Sequence, residues 1–282
     1  MYESFFGLRE APFSLNPDPR FLWLSETHRE GLAALSYGLA AGSGFILLTG
    51  GIGVGKTTLL RAALARVPAH FETALITNTA GLSDFDLLKL SAAEFGIREP
   101  LRDRADCIVA LKSFLLDRAR AGMRAILIVD EAQNLGPATL EQVRLLSNLE
   151  TEQEKLVQIV LSGQPELRRR LTEPELQPLA QRIVIEHHVE PLHPDEMRCY
   201  LEYRIGVAGG HYGDVFEPGG EPTFFAFSVG CPRLISVLAD RALLLAYSRG
   251  VRPVPVDIVE TKAKELDAAR SDELWEADIW GS

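Results

Sequence analysis

A glycine-rich loop at residues 50–57 constrains this chain more than any other feature of the sequence. The loop reads Gly-Gly-Ile-Gly-Val-Gly-Lys-Thr, follows the apolar run at 45–49, and leads into a helix-like segment from Lys56. A strand, a glycine loop and a helix in this order place backbone N–H groups and a helix N-terminus around phosphate groups. The loop therefore predicts ATP or GTP binding, with Lys56 on the β- and γ-phosphates and Thr57 on Mg²⁺. The predicted nucleotide contacts are Gly50, Gly51, Ile52, Gly53, Val54, Gly55, Lys56, Thr57 and Thr58.

The composition is that of a globular chain with one large or two modest domains. The 282 residues are 46% hydrophobic and 24% charged, which is ordinary for such a chain. A formal net charge of −10 argues against a protein that coats DNA, because phosphate neutralisation needs a basic face. The three cysteines are isolated in sequence, and we expect them to be structural thiols in a reducing compartment.

Apolar runs alternate with helix-like segments between residues 45 and 190, which predicts a parallel, doubly wound α/β sheet. The predicted strands are 45–49, 71–77, 124–129, 156–161 and 183–189. Residues 165–181 are predicted as one helix, and the helix at 105–121 carries Ile108, Leu111, Leu115 and Ala119 on one face.

Beyond residue 190 the pattern changes to helices alone, which predicts a second, all-α domain. Its expected helices are 194–207, 221–229, 232–248 and 255–269. The predicted divisions are an N-terminal lead-in and first helix at 1–44, the α/β domain at 45–190, the helical domain at 191–270 and an acidic tail at 271–282.

Two acidic residues, Asp130 and Glu131, follow the third predicted strand. The carboxyl end of a strand parallel to the one before the glycine loop lies near the bound metal, so Asp130 is predicted to hold Mg²⁺ directly or through water. Glu131 is placed to polarise the water that attacks the γ-phosphate. An Asp-Glu pair after an apolar run also occurs as a helix cap, but the glycine loop upstream favours the metal-binding interpretation.

The fourth predicted strand ends in a polar turn, Ser162-Gly163-Gln164-Pro165. A polar side chain at this point can hydrogen-bond the attacking water or the γ-phosphate, and Ser162 and Gln164 both qualify for this sensor role by position. The alternative is a turn that only ends the strand, since Gly-x-Pro is a strong turn signal.

Arginines supply the remaining candidates. Arg182 precedes the last strand and is placed to reach the γ-phosphate of a neighbouring subunit as an arginine finger, whereas Arg233 opens a helix of the second domain and is placed to contact phosphates of its own chain. Many arginines are solvated or lie in surface ion pairs, which is the alternative for both. The run 168–170 is the dense basic cluster of the sequence, and a nucleic-acid hypothesis begins there.

Together these segments resemble the AAA+ ATPases of the ExeA/GspA (general secretion pathway protein A) family. The matching pieces occur in the family's order, and the most specific are the N-terminal Pro-Phe and Pro-Asp-Pro-Arg-Phe motifs, Gly-Gln-Pro-Glu-Leu, and Gly-x-Pro-Arg-Leu-Ile. They lie at 12–13, 17–21, 163–167 and 230–235, beside 6–8, 129–135 and 181–183.

The resemblance implies a P-loop NTPase of the AAA+/ASCE class, with a parallel sheet flanked by helices, a C-terminal helical lid, and ATP rather than GTP. It also implies that Arg182 is a finger acting in trans, that Arg233 is the sensor 2 arginine, and that the N-terminal motifs lie against the adenine. Because the finger comes from the next subunit, it implies a homo-oligomer, either a ring or a helical assembly.

Secretion-type members of the family commonly continue into a transmembrane helix and a periplasmic region, whereas this sequence ends at Ser282. We therefore do not expect a membrane-anchored secretion assembly factor. The start of the sequence has acidic residues and no apolar core, unlike a signal peptide, so we expect a cytoplasmic protein without a membrane span. Trp275 and Trp280 in the acidic tail are expected either to dock on a partner or to pack on the lid.

The function predicted from these features is ATP hydrolysis by an oligomeric motor or switch that acts on a protein client in a bacterial secretion, export or envelope assembly system. One alternative is a DNA-associated regulator resembling the transposition matchmakers of the TnsC/TniB type. Another is a nucleotide-dependent scaffold with little turnover.

Overall fold

The structure is a computed structural model that describes residues 1–16, 18–42, 44–151 and 155–280, with side chains described through residue 269. Contacts divide the chain into two compact units. We call Glu26–Gly51 with Leu59–Val189 the sheet unit, and Met1–Ser25 with Ile52–Thr58 and Glu190–Ser282 the helical unit. The side chains of Trp275 and Trp280 lie outside the described residues.

The sheet unit is built on five parallel strands in the order β2-β3-β4-β1-β5. Strands β1, β3 and β4 occupy the middle and are buried over nearly their whole length, as their uninterrupted apolar runs require. The strands are β1 Phe45–Gly50, β2 Phe71–Ile76, β3 Arg124–Val129, β4 Val157–Gly163 and β5 Ile183–Val189. The predicted parallel α/β fold is confirmed.

Helices connect these strands and cover the sheet. Ser83 begins one of them with a capping box, in which its hydroxyl accepts from the N–H of Asp86 and the Asp86 carboxylate accepts from the N–H of Ser83. The helices are α1 Glu26–Ala41, α2 Lys56–Leu64, α3 Asp84–Glu94, α4 Arg104–Arg120, α5 Pro137–Leu146, α6 Pro165–Arg170 and α7 Gln177–Ala180.

Two helix predictions are wrong in detail. The segment 165–181 is not one helix, because Pro174 and Pro178 lack the N–H that a continuous helix would use, and a 3₁₀ turn separates α6 from α7. In α4 the buried stripe is Cys107, Leu111 and Leu115, whereas Ile108 is 37% exposed. The stripe therefore begins one residue earlier than the apolar pattern indicated.

The helical unit contains α8 Met197–Val207, α9 Tyr212–Val215, α10 Glu221–Ser228, α11 Pro232–Arg249 and α12 Val256–Trp280. The short α9 was not predicted. Among the helices in the described part of the chain, none has both the length and the apolar character that crossing a membrane requires.

N-terminal aromatic residues belong to the core of this helical unit. Phe13 is 2% exposed, and its ring meets that of Phe216 edge-on with 6.2 Å between centroids. Arg204 donates from Nε to the carbonyl of Pro12 at 2.7 Å and so fixes the backbone beside this ring. The Phe13 ring is therefore part of the core of the helical unit.

The turn before α11 depends on Gly230. This residue has φ +76°, its carbonyl accepts from the N–H of Leu192 at 2.9 Å, and a Cβ added to it would lie 2.1 Å from the carbonyl oxygen of Leu192. Backbone atoms cannot move aside as a flexible side chain can, so this position requires glycine for both its conformation and its space.

We expect Gly230→Ala to lower the free energy of unfolding of the helical unit by at least about 3 kcal/mol, because left-handed strain adds to a backbone clash. Gly250→Ala is the matched control, since Gly250 has φ +66° and no heavy atom lies within 4 Å of its added Cβ. The control should cost only about 1–2 kcal/mol. Thermal unfolding of both variants measures the difference, and equal losses would contradict the proposed clash.

Candidate functional site

The glycine loop joins β1 to α2. Gly50 is the last residue of β1, residues 51–55 form the loop, and Lys56, Thr57 and Thr58 form the first turn of α2. Gly53 and Gly55 both have positive φ, at +76° and +108°, so successive peptide groups turn in a way that L side chains rarely adopt. The loop and the helix N-terminus together form the type of backbone arrangement that binds phosphate.

Arg233 lies directly against this loop within the helical unit. Its backbone N–H, in the first turn of α11, donates to the carbonyl of Gly53 at 3.2 Å, and the Cys231 thiol donates to the carbonyl of Ile52 at 3.3 Å. A Cβ added to Gly53 would lie 2.5 Å from the Cβ of Arg233. The structure therefore brings Arg233 next to the glycine loop, although the two are far apart in sequence, and its predicted contact with the phosphates stays a prediction.

Asp130 is held at the carboxyl end of β3, in the sheet unit. It is 3% exposed, and its Oδ1 accepts hydrogen bonds from the Ser162 hydroxyl at 2.7 Å and from the Glu131 N–H at 3.0 Å. Its own N–H donates to the carbonyl of Ile76 at 2.8 Å. A buried carboxylate needs such donors because burial without them is costly, and here they also fix its direction.

Glu131 has a strained backbone with φ +53° and ψ +35°, the left-handed region that non-glycine residues rarely occupy. The Thr79 hydroxyl donates to its carbonyl at 2.8 Å, and Gln133 Nε2 donates to its Oε2 at 2.5 Å. Such strain costs of order 1–3 kcal/mol and persists where surrounding contacts enforce it, which is common at functional sites.

The two sensor candidates have different surroundings. Ser162 is fully buried in β4 and donates its hydroxyl to Asp130. Gln164 follows the strand as the residue before α6; its N–H donates to Gln133 Oε1 at 3.0 Å, and its side chain does not cap the helix. The Ser162 hydroxyl is thus committed to the Asp130 carboxylate, whereas Gln164 lies at the end of the strand.

Arg182 lies away from these groups. It immediately precedes β5, so it belongs to the amino edge of the parallel sheet, whereas Asp130 and Glu131 follow the carboxyl end of β3. Its Nη1 donates to the Ser147 hydroxyl at 2.5 Å and to the carbonyl of Arg144 at 3.3 Å, both at the end of α5. The fold does not bring Arg182 to the acidic residues of its own sheet.

The basic run on α6 has partners within the sheet unit. Arg168 and Arg169 pair with Glu186 and Glu166, each at 2.6 Å, while Arg170 donates to the carbonyl of Gln133 at 2.7 Å. Pairing of this kind reduces the charge that the cluster can offer to a nucleic acid.

Sequence reasoning assigned no role to Thr79 or Gln133, although both contact Glu131. Gln133 stands two residues after Glu131, and this closeness in sequence is the feature from which its contact with Glu131 could have been predicted. Thr79 follows β2 and has no comparable signal, because only the pairing of β2 with β3 brings it to Glu131.

Residues 40–171 match a family model described as an AAA domain. Over 280 residues the chain is 42% identical to General secretion pathway protein A from Aeromonas hydrophila, a match that covers 99% of this chain and 51% of that protein. The chain thus spans about half the length of this curated relative.

Solved structures share the fold at low sequence identity. A structure of the Aeropyrum pernix ORC1 protein in complex with DNA is 20% identical with a TM-score of 0.72, over 95% of this chain and 72% of that one. The Aeropyrum pernix ORC2 protein in ADPNP-ADP complexes is 18% identical with a TM-score of 0.66, over 91% and 71%. The Thermotoga maritima RuvB Holliday junction branch migration motor is 17% identical with a TM-score of 0.57, over 87% and 70%.

These matches, with the glycine loop and the parallel sheet, define a P-loop protein of the AAA ATPase class. Within that class the chain is homologous to General secretion pathway protein A, and the resemblance to the ExeA/GspA family is confirmed.

We expect Gly53→Ala to weaken nucleotide binding by about tenfold or more, because the added Cβ would push Arg233 and α11 from the loop while straining the phosphate-binding backbone. Gly81→Ala is the matched control, with φ +69° and open space around its added Cβ. Titration with a fluorescent ATP analogue measures both affinities. Unchanged affinity in the Gly53 variant would contradict the importance of this contact.

Proposed function

We propose that this chain binds ATP with Mg²⁺ and hydrolyses it to ADP and phosphate. The observation that carries the proposal is the strand order. Strand β3 is followed by Asp130 and Glu131, strand β1 leads into the glycine loop, and only β4 lies between these two strands in the sheet. Parallel strands direct their carboxyl ends to one edge of the sheet, where α/β proteins bind ligands. The AAA domain match supports the same activity.

In this proposal the loop amides of residues 50–55 and the side chain of Lys56 hold the phosphates. Thr57 and Asp130 hold Mg²⁺, and the structure supports this for Asp130 because the Ser162 hydroxyl and the Glu131 N–H orient one of its oxygens. A hard cation of this kind takes few protein ligands and completes its coordination with phosphate oxygens and water. When bound, Mg²⁺ neutralises charge that develops on the phosphate oxygens.

Glu131 is the proposed base that polarises the attacking water. Gln164 is the preferred sensor, because Ser162 already donates its hydroxyl to Asp130. Arg233 is proposed to contact the phosphates of its own chain, since its N–H already bonds to the loop carbonyl of Gly53.

Arg182 is proposed to act on the nucleotide of a neighbouring copy. Its place at the amino edge of the sheet, away from Asp130 and Glu131, supports a role in trans rather than within its own chain. A finger in trans requires a homo-oligomer, and a ring or a helical assembly presents the same face of one subunit to the nucleotide of the next.

The proposed work of hydrolysis is a motor or switch action on a protein client in a bacterial secretion, export or envelope assembly system, carried out in the cytoplasm. The support is the identity of 42% with General secretion pathway protein A over nearly the whole chain. Action on DNA is less favoured, because Arg168 and Arg169 are paired with glutamates and the DNA-bound ORC1 structure shares the fold alone.

We expect Glu131→Gln to lower the turnover of ATP by about 100-fold or more while ATP affinity changes little, because the variant keeps the phosphate loop and loses the base. Lys56→Ala should instead abolish tight binding. Phosphate release and analogue titration separate the two effects. Glu175→Gln, at an exposed glutamate of the same unit, is the control. Unchanged turnover in the Glu131 variant would favour a scaffold that binds ATP without hydrolysing it.

We expect Arg182→Ala to lower turnover by about 1,000-fold in the assembled protein, since a finger contributes that order of rate. Mixing this variant with Glu131→Gln should restore part of the turnover, because each Arg182→Ala subunit keeps its base and receives a finger from its neighbour. Ser147→Ala is the control, because it removes the hydrogen bond to Arg182 and keeps the guanidinium. Two inactive variants that stay inactive when mixed would contradict a shared site.

A further inference from the structure

We propose that Gln133 is a positioning residue that orients the Glu131 carboxylate and couples it to helix α6. The inference rests on the proposed function, in which Glu131 is the base, and goes beyond it by assigning a role to a residue outside the glycine loop and the proposed metal ligands. Every contact that carries it lies within the sheet unit.

The Gln133 side chain uses both ends of its amide. Nε2 donates to Glu131 Oε2 at 2.5 Å, and Oε1 accepts from the backbone N–H of Gln164 at 3.0 Å. One planar group therefore connects the proposed base to the residue before α6. An ionised carboxylate only accepts hydrogen bonds, so the donor Nε2 holds Glu131 Oε2 toward Gln133. The other carboxylate oxygen, Oε1, is then turned away from Gln133.

Local packing holds the amide in place. Gln133 lies in the 3₁₀ turn Ala132–Asn134, whose first residue is fully buried, and the turn begins from the left-handed backbone of Glu131. Gly163 allows the close approach from the other side, because a Cβ added there would lie 2.9 Å from Gln133 Oε1. The amide thus occupies space that a side chain at residue 163 would fill.

Helix α6 touches Gln133 from both of its ends. The N–H of Gln164 bonds to the side chain at the start of the helix, and Arg170, its last residue, donates to the Gln133 carbonyl at 2.7 Å. A displacement of α6 therefore moves Gln133 through two hydrogen bonds. The Glu131 carboxylate must then move with Gln133 or lose the hydrogen bond from Gln133 Nε2. A partner that binds to the surface of α6 can therefore change the rate of hydrolysis.

The chemistry of an amide explains why glutamine suits this position. A methionine has nearly the same length and provides neither a strong donor nor a strong acceptor. A glutamate keeps an acceptor for the Gln164 N–H but replaces the donor with negative charge facing Glu131. Gln133→Met therefore removes both hydrogen bonds of the amide, whereas Gln133→Glu removes only the hydrogen bond to Glu131.

The test measures turnover of ATP and binding of a fluorescent ATP analogue by the full chain with Mg²⁺. We expect Gln133→Met and Gln133→Glu each to lower kcat by about tenfold or more, since misplacing a base by about an ångström has effects of this size or larger. Affinity for the analogue should stay within about twofold, because Gln133 does not contribute to the phosphate loop. Gln177→Met, at an exposed glutamine of the same unit, is the control.

A double-mutant cycle distinguishes positioning from general damage. If Gln133 acts through Glu131, then Gln133→Met should have little further effect on kcat in a Glu131→Gln background. A further tenfold loss in that background, or a wild-type kcat in both single variants, would overturn the proposal. If Glu131→Gln itself has normal turnover, the proposed base is wrong; if only the Gln133 variants are normal, the base stands and the positioning role fails.

Arg170→Ala provides a second route that leaves Gln133 unchanged, should the Gln133 variants unfold. Removing this guanidinium should also lower kcat with little change in analogue affinity, because it releases the Gln133 carbonyl. Arg169→Ala is its matched control, since it removes the same charge from the same helix and loses only an exposed ion pair with Glu166. Equal turnover in the two arginine variants would overturn the coupling through α6.

Discussion

The parallel pairing of β3 with β4 and of β4 with β1 is the constraint on which the rest of the structure depends. Parallel strands cannot be joined by tight turns, so each is followed by a crossover, and their carboxyl ends meet at one edge of the sheet. That edge carries Asp130, Ser162 and the start of the glycine loop at Gly50. A change in strand order would separate these groups even if every local element formed correctly.

Hydrogen bonds between neighbouring strand ends convert this arrangement into a defined geometry. Ser162 on one strand holds Asp130 on the next, and Thr79 after β2 holds the carbonyl of Glu131. The left-handed backbone of Glu131 is maintained against its cost by these contacts from both sides. Gln133 then extends the same network to α6. Rigid placement of charged groups before a substrate binds is the main way in which proteins lower the barrier for phosphoryl transfer.

Sequence reasoning performed best where a local pattern has a single structural solution. Few structures other than a buried strand suit the apolar runs of β1, β3 and β4, and few suit the glycine loop other than a turn into a helix. These elements lie where they were predicted. It performed less well where several solutions compete. The break between α6 and α7 depends on prolines at particular positions, and the burial of Phe13 depends on the helical core that it joins. The spacing of apolar residues along the sequence indicates neither the break nor the burial of Phe13.

The sequence by itself determined the class of fold and the identity of the phosphate loop, because glycine spacing and continuous apolar runs act locally. Only the tertiary structure decided the surroundings of the individual site residues. In the structure the Ser162 hydroxyl donates to Asp130, and the Arg233 N–H donates to Gly53. Arg182 lies at the amino edge of the sheet, opposite the edge that carries Asp130. The physical reason is that these relations join residues far apart in the chain. Their proximity follows from strand order and packing, which no short stretch of sequence records.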